Sequence, residues 1–148
     1  MTTLLPVICC LLSLATQVQQ TPARIHLSTL PQPIQAGSLK VTLVEFRSAG
    51  LFRIGEGWIR VEIENSSPDA VNFSPSQLYF VGKDGVQASI LGTSRRELGT
   101  RVGQTFICPT DRMIAPRARI RETYILSEKV HMPADFYYQD KLVATIQD

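Results

Sequence analysis

Residues 60–73 read RVEIENSSPDAVNF, and the reading of this stretch decides the fold. Together with Trp58 and Ile59 ahead of it, the first half alternates. Ile59, Val61 and Ile63 fall on one side and Arg60, Glu62 and Glu64 on the other, the period of a half-buried strand. Asn65-Ser66-Ser67 then follows, directly before Pro68. In an exported chain this triplet satisfies the Asn-x-Ser/Thr rule for a sugar acceptor. Turn chemistry favours another role, because Asn and Ser side chains bond to nearby backbone amides and Pro-Asp fixes a turn. By the alternation Asn65 shares the inward face with Ile63, which suits a buried or capping amide. The stretch is expected to be a strand that ends in a corner.

The same alternation extends outward. Residues 38–47 place Leu39, Val41 and Leu43 on one face and Lys40 and Thr42 on the other. Residues 77–81 and 86–91 flank GKDG, a hairpin loop with glycines where positive φ is needed. Residues 135–138 and 142–146 surround a second short turn, and residues 24–30 make a plausible first strand. Residues 117–132 are the longest interval free of Gly and Pro. There Ala118, Ile120, Tyr124 and Leu126 alternate with Arg119, Arg121, Thr123 and Ile125, and Pro133 is expected to end the strand. Short β-rich runs between frequent Gly and Pro residues predict an all-β antiparallel sandwich or barrel.

The chain has 148 residues, 44% of them apolar, with a formal charge of +2. That suits one domain, and so small a charge points to neither nucleic acid nor a polyanion. Residues 4–15 (LLPVICCLLSLA) form an uncharged apolar run. It is shorter than the roughly 20 residues a membrane-spanning helix needs. The run fits the apolar region of a signal peptide, with Ser13-Leu14-Ala15 as the cleavage pattern, although no Lys or Arg precedes it. The expected organisation is a signal peptide over residues 1–15, a flexible leader over 16–23 and one domain over 24–148, secreted or periplasmic. Ile8 before Cys9 argues against lipidation. Cys9 and Cys10 would leave with the signal, so Cys108 remains alone and no internal disulfide is expected.

Catalytic signatures are absent from the spacing. The only histidines are His26 and His131, and no nucleophile-elbow, zincin, phosphate-loop or Cys-x-x-Cys pattern occurs. The chain is therefore read as a non-enzyme without a cofactor. Its alternative is a small hydrolase or metal-dependent enzyme built on Cys108 and His131. Asp111 could add a third metal ligand, but single residues at such separation carry little signal. Cys108, after Phe106 and Ile107, is expected to be a buried small hydrophobe. His26, between Ile25 and Leu27, reads as an exposed strand histidine.

The densest functional signal is a run of arginines: Arg95, Arg96, Arg101, Arg112, Arg117, Arg119 and Arg121, against only Glu97 and Asp111. Arginine suits carboxylate or phosphate recognition because its planar fork donates two parallel hydrogen bonds. Residues 92–103 are too long for a simple hairpin, and long loops on rigid scaffolds often carry binding. The competing reading makes Arg117, Arg119 and Arg121 the solvated face of a strand. With almost no aromatic interleaving, single-stranded nucleic acid is not indicated.

The order WIRVEIENSS, VNFSPSQLYFVGKDGVQ, IAPRARIRETYIL and FYYQDKLVATI resembles the immunoglobulin-like domains of unknown function found in bacterial secreted proteins and lipoproteins. Asn65, Ser74, Pro75, Gly85 and Pro116 carry the likeness, over roughly residues 38–147. The sequence departs from the pattern at Arg117, where the family usually has Gly, and across residues 92–110. The resemblance implies an immunoglobulin-like β-sandwich outside the cytoplasm, and no established activity. The expected role is an exported binding or assembly module whose partner is an envelope or extracellular protein or an anionic surface.

Overall fold

The computed structural model describes residues 21–48, 57–95 and 105–148. Residues 1–15, read above as a signal peptide, lie outside them. The strands run β1 (Ala23–His26), β2 (Gln32–Ala36), β3 (Leu39–Arg47), β4 (Gly57–Asn65), β5 (Val71–Phe73) and β6 (Leu78–Gly82). They continue with β7 (Gln87–Arg95), β8 (Thr105–Ile107), β9 (Arg112–Ile114), β10 (Arg119–Leu126), β11 (Ala134–Tyr138) and β12 (Lys141–Gln147). Among the described residues the only helical turns are 3₁₀, at Leu27–Thr29 and Pro75–Gln77.

Ten strands form one sheet in the order β1-β12-β11-β6-β7-β10-β4-β3-β2, with β8 added beside β7, and β5 pairs with β9 in a small second sheet. The large sheet folds over at β7, which changes partner along its length. Residues 87–89 of β7 pair with β6. Farther along, Ile90, Gly92 and Thr93 pair with β10, across a register shift between Ile125 and Leu126. At the far side Pro33, Ile34 and Gln35 of β2 and Leu142 and Val143 of β12 line one shallow groove, so the sheet is nearly closed into a barrel. One pairing departs from the antiparallel expectation: β1 runs parallel to β12.

The core lies between the two halves of the folded sheet. The inward residues expected of β3 and β4, namely Leu39, Val41, Leu43, Ile59, Val61 and Ile63, are all buried. Each such side chain contributes about 1.5–3 kcal/mol relative to leaving it exposed. Phe46 on β3 meets Phe80 on β6 edge to face at 5.4 Å, and Phe80 stacks on Phe136 at 4.7 Å. Because β3 and β6 are not neighbours in the sheet, these rings join its opposite halves. Tyr138 stacks on Phe73 at 5.8 Å, yet its buried hydroxyl has no hydrogen-bond partner among the described residues. A buried polar group left unpaired costs about 1–3 kcal/mol. Tyr138→Phe should therefore hold or raise stability, by up to about 1 kcal/mol, and a denaturant titration would show a midpoint no lower than the parent's.

Several boundaries differ from the sequence reading. The first strand ends at His26, where the 3₁₀ turn begins, and β2 crosses Pro33 unforeseen. Its place at one end of the sheet explains the tolerance, since an edge strand can spare one N–H. Strand β10 stops at Leu126, well before Pro133. There the Ser127 hydroxyl accepts from the Ser89 N–H at 3.0 Å, replacing a ladder carbonyl. Ile125, outward by alternation, is nevertheless buried, and its register partner on β4 is the large Trp58. Residues 92–95, expected to open a loop, instead complete β7 and pair with β8.

The turns show why particular residues stand where they do. Gly85 has φ +77°, as the hairpin expectation required. Gly82 is needed for space instead: a Cβ there would lie 2.8 Å from Asp84 Oδ1 and 3.1 Å from the His131 nitrogen. Gln139 and Asp140 both adopt positive φ in a two-residue hairpin turn, the pattern that matches strand twist. Arg117 has φ 59°, the left-handed conformation that glycine favours, at the position where the resemblance called for Gly.

Candidate functional site

Asn65 settles the opening stretch. Its side chain is fully buried, the only buried polar or charged residue among those described. Nδ2 donates to the carbonyls of Asp69 at 2.7 Å, Ile114 at 3.0 Å and Ala115 at 3.3 Å. Oδ1 accepts from the Ser67 N–H at 2.9 Å and the Ser67 hydroxyl at 2.8 Å. The backbone N–H of Asn65 donates to Ala118 at 2.9 Å, and that of Ser66 to Ser38 at 3.1 Å. One amide thus fastens the end of β4 to its own turn and to the exit of β9. Phe73 and Ile114, on the two strands of the small sheet, are buried as well. The folded chain offers no amide nitrogen there for a sugar.

The arginines separate into two places. Arg119 and Arg121 stand on the outer face of β10, and both donate to Glu62 of β4, at 3.3 Å and 2.7 Å. The same face carries Lys40–Glu64 at 3.7 Å, Arg60–Glu45 at 3.4 Å and Arg47–Glu45 at 3.4 Å. Arg60 also lies over the Trp58 ring at 5.7 Å. Arg112, on β9, points elsewhere and binds Glu122 at 2.6 Å. Glu122 alternates with Arg121 and Thr123, so it belongs to the opposite face of β10. Arg117 is exposed in the turn before β10. Arg95 ends β7, and Arg96 and Arg101 lie outside the described residues. The run of arginines in sequence is therefore not one surface in space among the described residues.

Exposed ion pairs of this kind are worth about 0–1 kcal/mol each, so the outer ladder adds little to stability. The hydrogen bond from Arg121, with that from Arg119, holds the Glu62 carboxyl below the usual glutamate range against partial desolvation. A depressed folded value gives stability that is present above the ordinary carboxylate range and lost as pH falls through the lowered value. Glu62→Gln should accordingly melt below the parent at pH 7, with the gap closing towards pH 3. Paired thermal scans at the two pH values check this.

A cleft of about 150 Å³ opens beside Arg112, lined by Pro75, Ile107, Cys108, Arg112, Glu122 and Tyr124 among others. Cys108 is exposed there, contrary to the expectation of a buried hydrophobe, because it follows β8 at the sheet margin. Its suggested partner is elsewhere. Ile107 pairs with Thr93, whereas the His131 carbonyl accepts from the Lys83 N–H at 3.0 Å, beyond the other end of β7. From Gln87 to Thr93 the strand rises roughly 20 Å, so Cys108 and His131 form no catalytic pair. His131 instead lies 3.7 Å from Asp84. Asp111 accepts from Ser74 at 2.6 Å and Asn72 at 3.3 Å, and these bonds hold its carboxyl below the usual aspartate range. Cys108, Asp111 and His131 do not assemble, and no group of three His, Cys, Asp or Glu side chains among the described residues could hold a metal. His26 is exposed, at the end of β1. No helix among the described residues is long and apolar enough to cross a membrane.

No protein-family model, curated protein or solved structure matches the chain.

Sequence reasoning missed the cleft. Its lining comes from β7, β8, β9, β10 and the segments after β5 and β8, and no local motif joins them. The sequence did single out Arg112 and Cys108, and the alternation of β10 placed Tyr124 on the inner face, but nothing in it brought the three together.

Proposed function

We propose that the chain is an exported, non-catalytic binding or assembly module with immunoglobulin-like β-sandwich architecture. Its contact surface is the outer face of β3, β4 and β10, and its partner is an acidic protein or anionic surface of the cell envelope or extracellular space. The observation that carries this reading is the sharing of Glu62 by Arg119 and Arg121, whose side chains remain 69% and 68% exposed. Each guanidinium has five N–H donors, and one carboxylate leaves most of them unused. Across the face, Lys40, Arg47, Arg60, Arg119 and Arg121 stand against Glu45, Glu62 and Glu64, a surplus of positive charge. The strand frame fixes their spacing, so little ordering entropy opposes docking. The apolar run over residues 4–15 supports export, and the folding of the sheet over its core supports the sandwich.

Crosslinking from the intact envelope, with the mature chain as bait, tests the reading. Arg119→Gln with Arg121→Gln should cut partner recovery several-fold, up to about tenfold, the scale of one to two weak charge contacts. Raising the salt should reduce recovery by the parent chain as well. Equal recovery from parent and double variant at matched folding would remove this surface.

A further inference from the structure

We infer, resting on the acidic-partner reading of the same arginines, that the open edge of β10 at Arg119–Thr123 is a strand-addition site. Its occupant is an extended segment of a partner protein with acidic, apolar and acidic residues in succession. All of β10 pairs with β4 on one side. On the other, β7 joins it only at Tyr124, Ile125 and Leu126. Among the described residues no strand covers Arg119–Thr123 on that side, and no other backbone hydrogen bond reaches them. Every second residue of a strand aims its N–H and C=O away from a given neighbour. This stretch therefore presents a row of unused ladder groups, the template on which another chain pairs. Burial agrees. Ile63 of β4 is fully buried, whereas Ile120, its register partner on the same face, is only partly so. The cleft opens where β7 leaves β10, with Thr93 on one wall and Glu122 and Tyr124 on the other, which gives an incoming strand room.

The covered side of β10 shows what fits the open one. Glu64, Ile63 and Glu62 of β4 stand opposite Arg119, Ile120 and Arg121 in register. A guest strand with the same acidic-apolar-acidic order sets two carboxylates beside the two arginines and one apolar side chain beside Ile120, because side chains i and i+2 share a face. Opposite charges placed so across a ladder are favourable, and like charges unfavourable. Both guanidinium groups already donate to Glu62 but stay 69% and 68% exposed, with N–H groups to spare. A second copy of this edge is the wrong occupant, since it would set arginines beside arginines.

The experiment titrates the purified chain into the peptide Thr-Val-Glu-Val-Glu-Val-Thr, carrying a neutral dye, and reads fluorescence anisotropy. Two isomers are compared with it, one methylated at the backbone nitrogens of both glutamates and one at those of the valines that follow them. Only one set of nitrogens faces β10, so one isomer should bind about tenfold more weakly than the other. Arg119→Gln with Arg121→Gln should weaken the unmodified peptide about tenfold, the scale of two cross-strand charge pairs. In hydrogen exchange, the unmodified peptide should slow alternate amides within Arg119–Thr123. No binding of the unmodified peptide, equal binding of the two isomers, or unchanged exchange at Arg119–Thr123 overturns strand addition. If binding without strand addition still falls with salt and in the double variant, the acidic-partner reading outlives it. Equal binding by the parent chain and the double variant overturns both.

Discussion

Asn65→Asp is expected to lower the stability of the folded chain by about 3–5 kcal/mol, the cost of leaving a buried charge without a partner. The wild-type side chain donates to three carbonyls and accepts from Ser67, with no access to water. A carboxylate keeps the acceptor role but turns an oxygen towards the carbonyls of Asp69, Ile114 and Ala115. It must either stay ionised among them or hold a proton well above the usual aspartate pKa. A folded value raised in this way preserves stability below the unfolded pKa and loses it as pH rises. The deficit should thus be smallest near pH 3 and largest at neutral pH, where melting should fall by about 10–20 °C. Asn65→Ala, which removes both roles without adding charge, should cost about 2–3 kcal/mol. Thermal unfolding of the three chains across pH gives the ordering, and an aspartate variant as stable as the parent at pH 7 would contradict the buried corner.

Phe80→Ala should cost about 3–5 kcal/mol, in the range of large aromatic truncations. Phe80 is fully buried between Phe46 on one half of the folded sheet and Phe136 on the other. Its removal opens a cavity where the halves meet and breaks two aromatic contacts worth about 0.5–1.5 kcal/mol each beyond their area. Phe80→Leu refills part of the space and should recover about half of the loss. Denaturant midpoints for the three chains measure this. A cost near that of a surface change would mean that the two halves do not share one core.

Most of the strand framework is legible in the sequence because alternation is a local property. Ile59, Val61 and Ile63 needed only their neighbours to be placed inward, and so did Asn65. What depended on distant partners was not legible. β5 and β9 have three residues each, and they form a sheet only because the corner at Asn65 brings them together. Ile125 broke the alternation because a neighbouring strand sets Trp58 opposite it. The arginines show the same limit. Closeness in sequence suggested one patch, but period-two geometry sends Arg121 and Glu122 to opposite faces, and Arg112 follows Glu122. The outer ladder could be anticipated only as a solvated strand face, because the pairing of β10 with β4 that puts two arginines on Glu62 is a long-range contact.

Site-specific photo-crosslinking in the intact envelope separates the corner from the face most directly. A photoreactive residue at Thr42 or Thr123, on the outer face of β3 and β10, should capture a partner, and the capture should weaken in the Arg119→Gln, Arg121→Gln background. The same residue at the exposed Asp69, in the turn that Asn65 fastens, should capture nothing above background. Capture at Asp69 with none at Thr42 or Thr123 would contradict the account, by making RVEIENSSPDAVNF the contact site and the charged ladder mere surface.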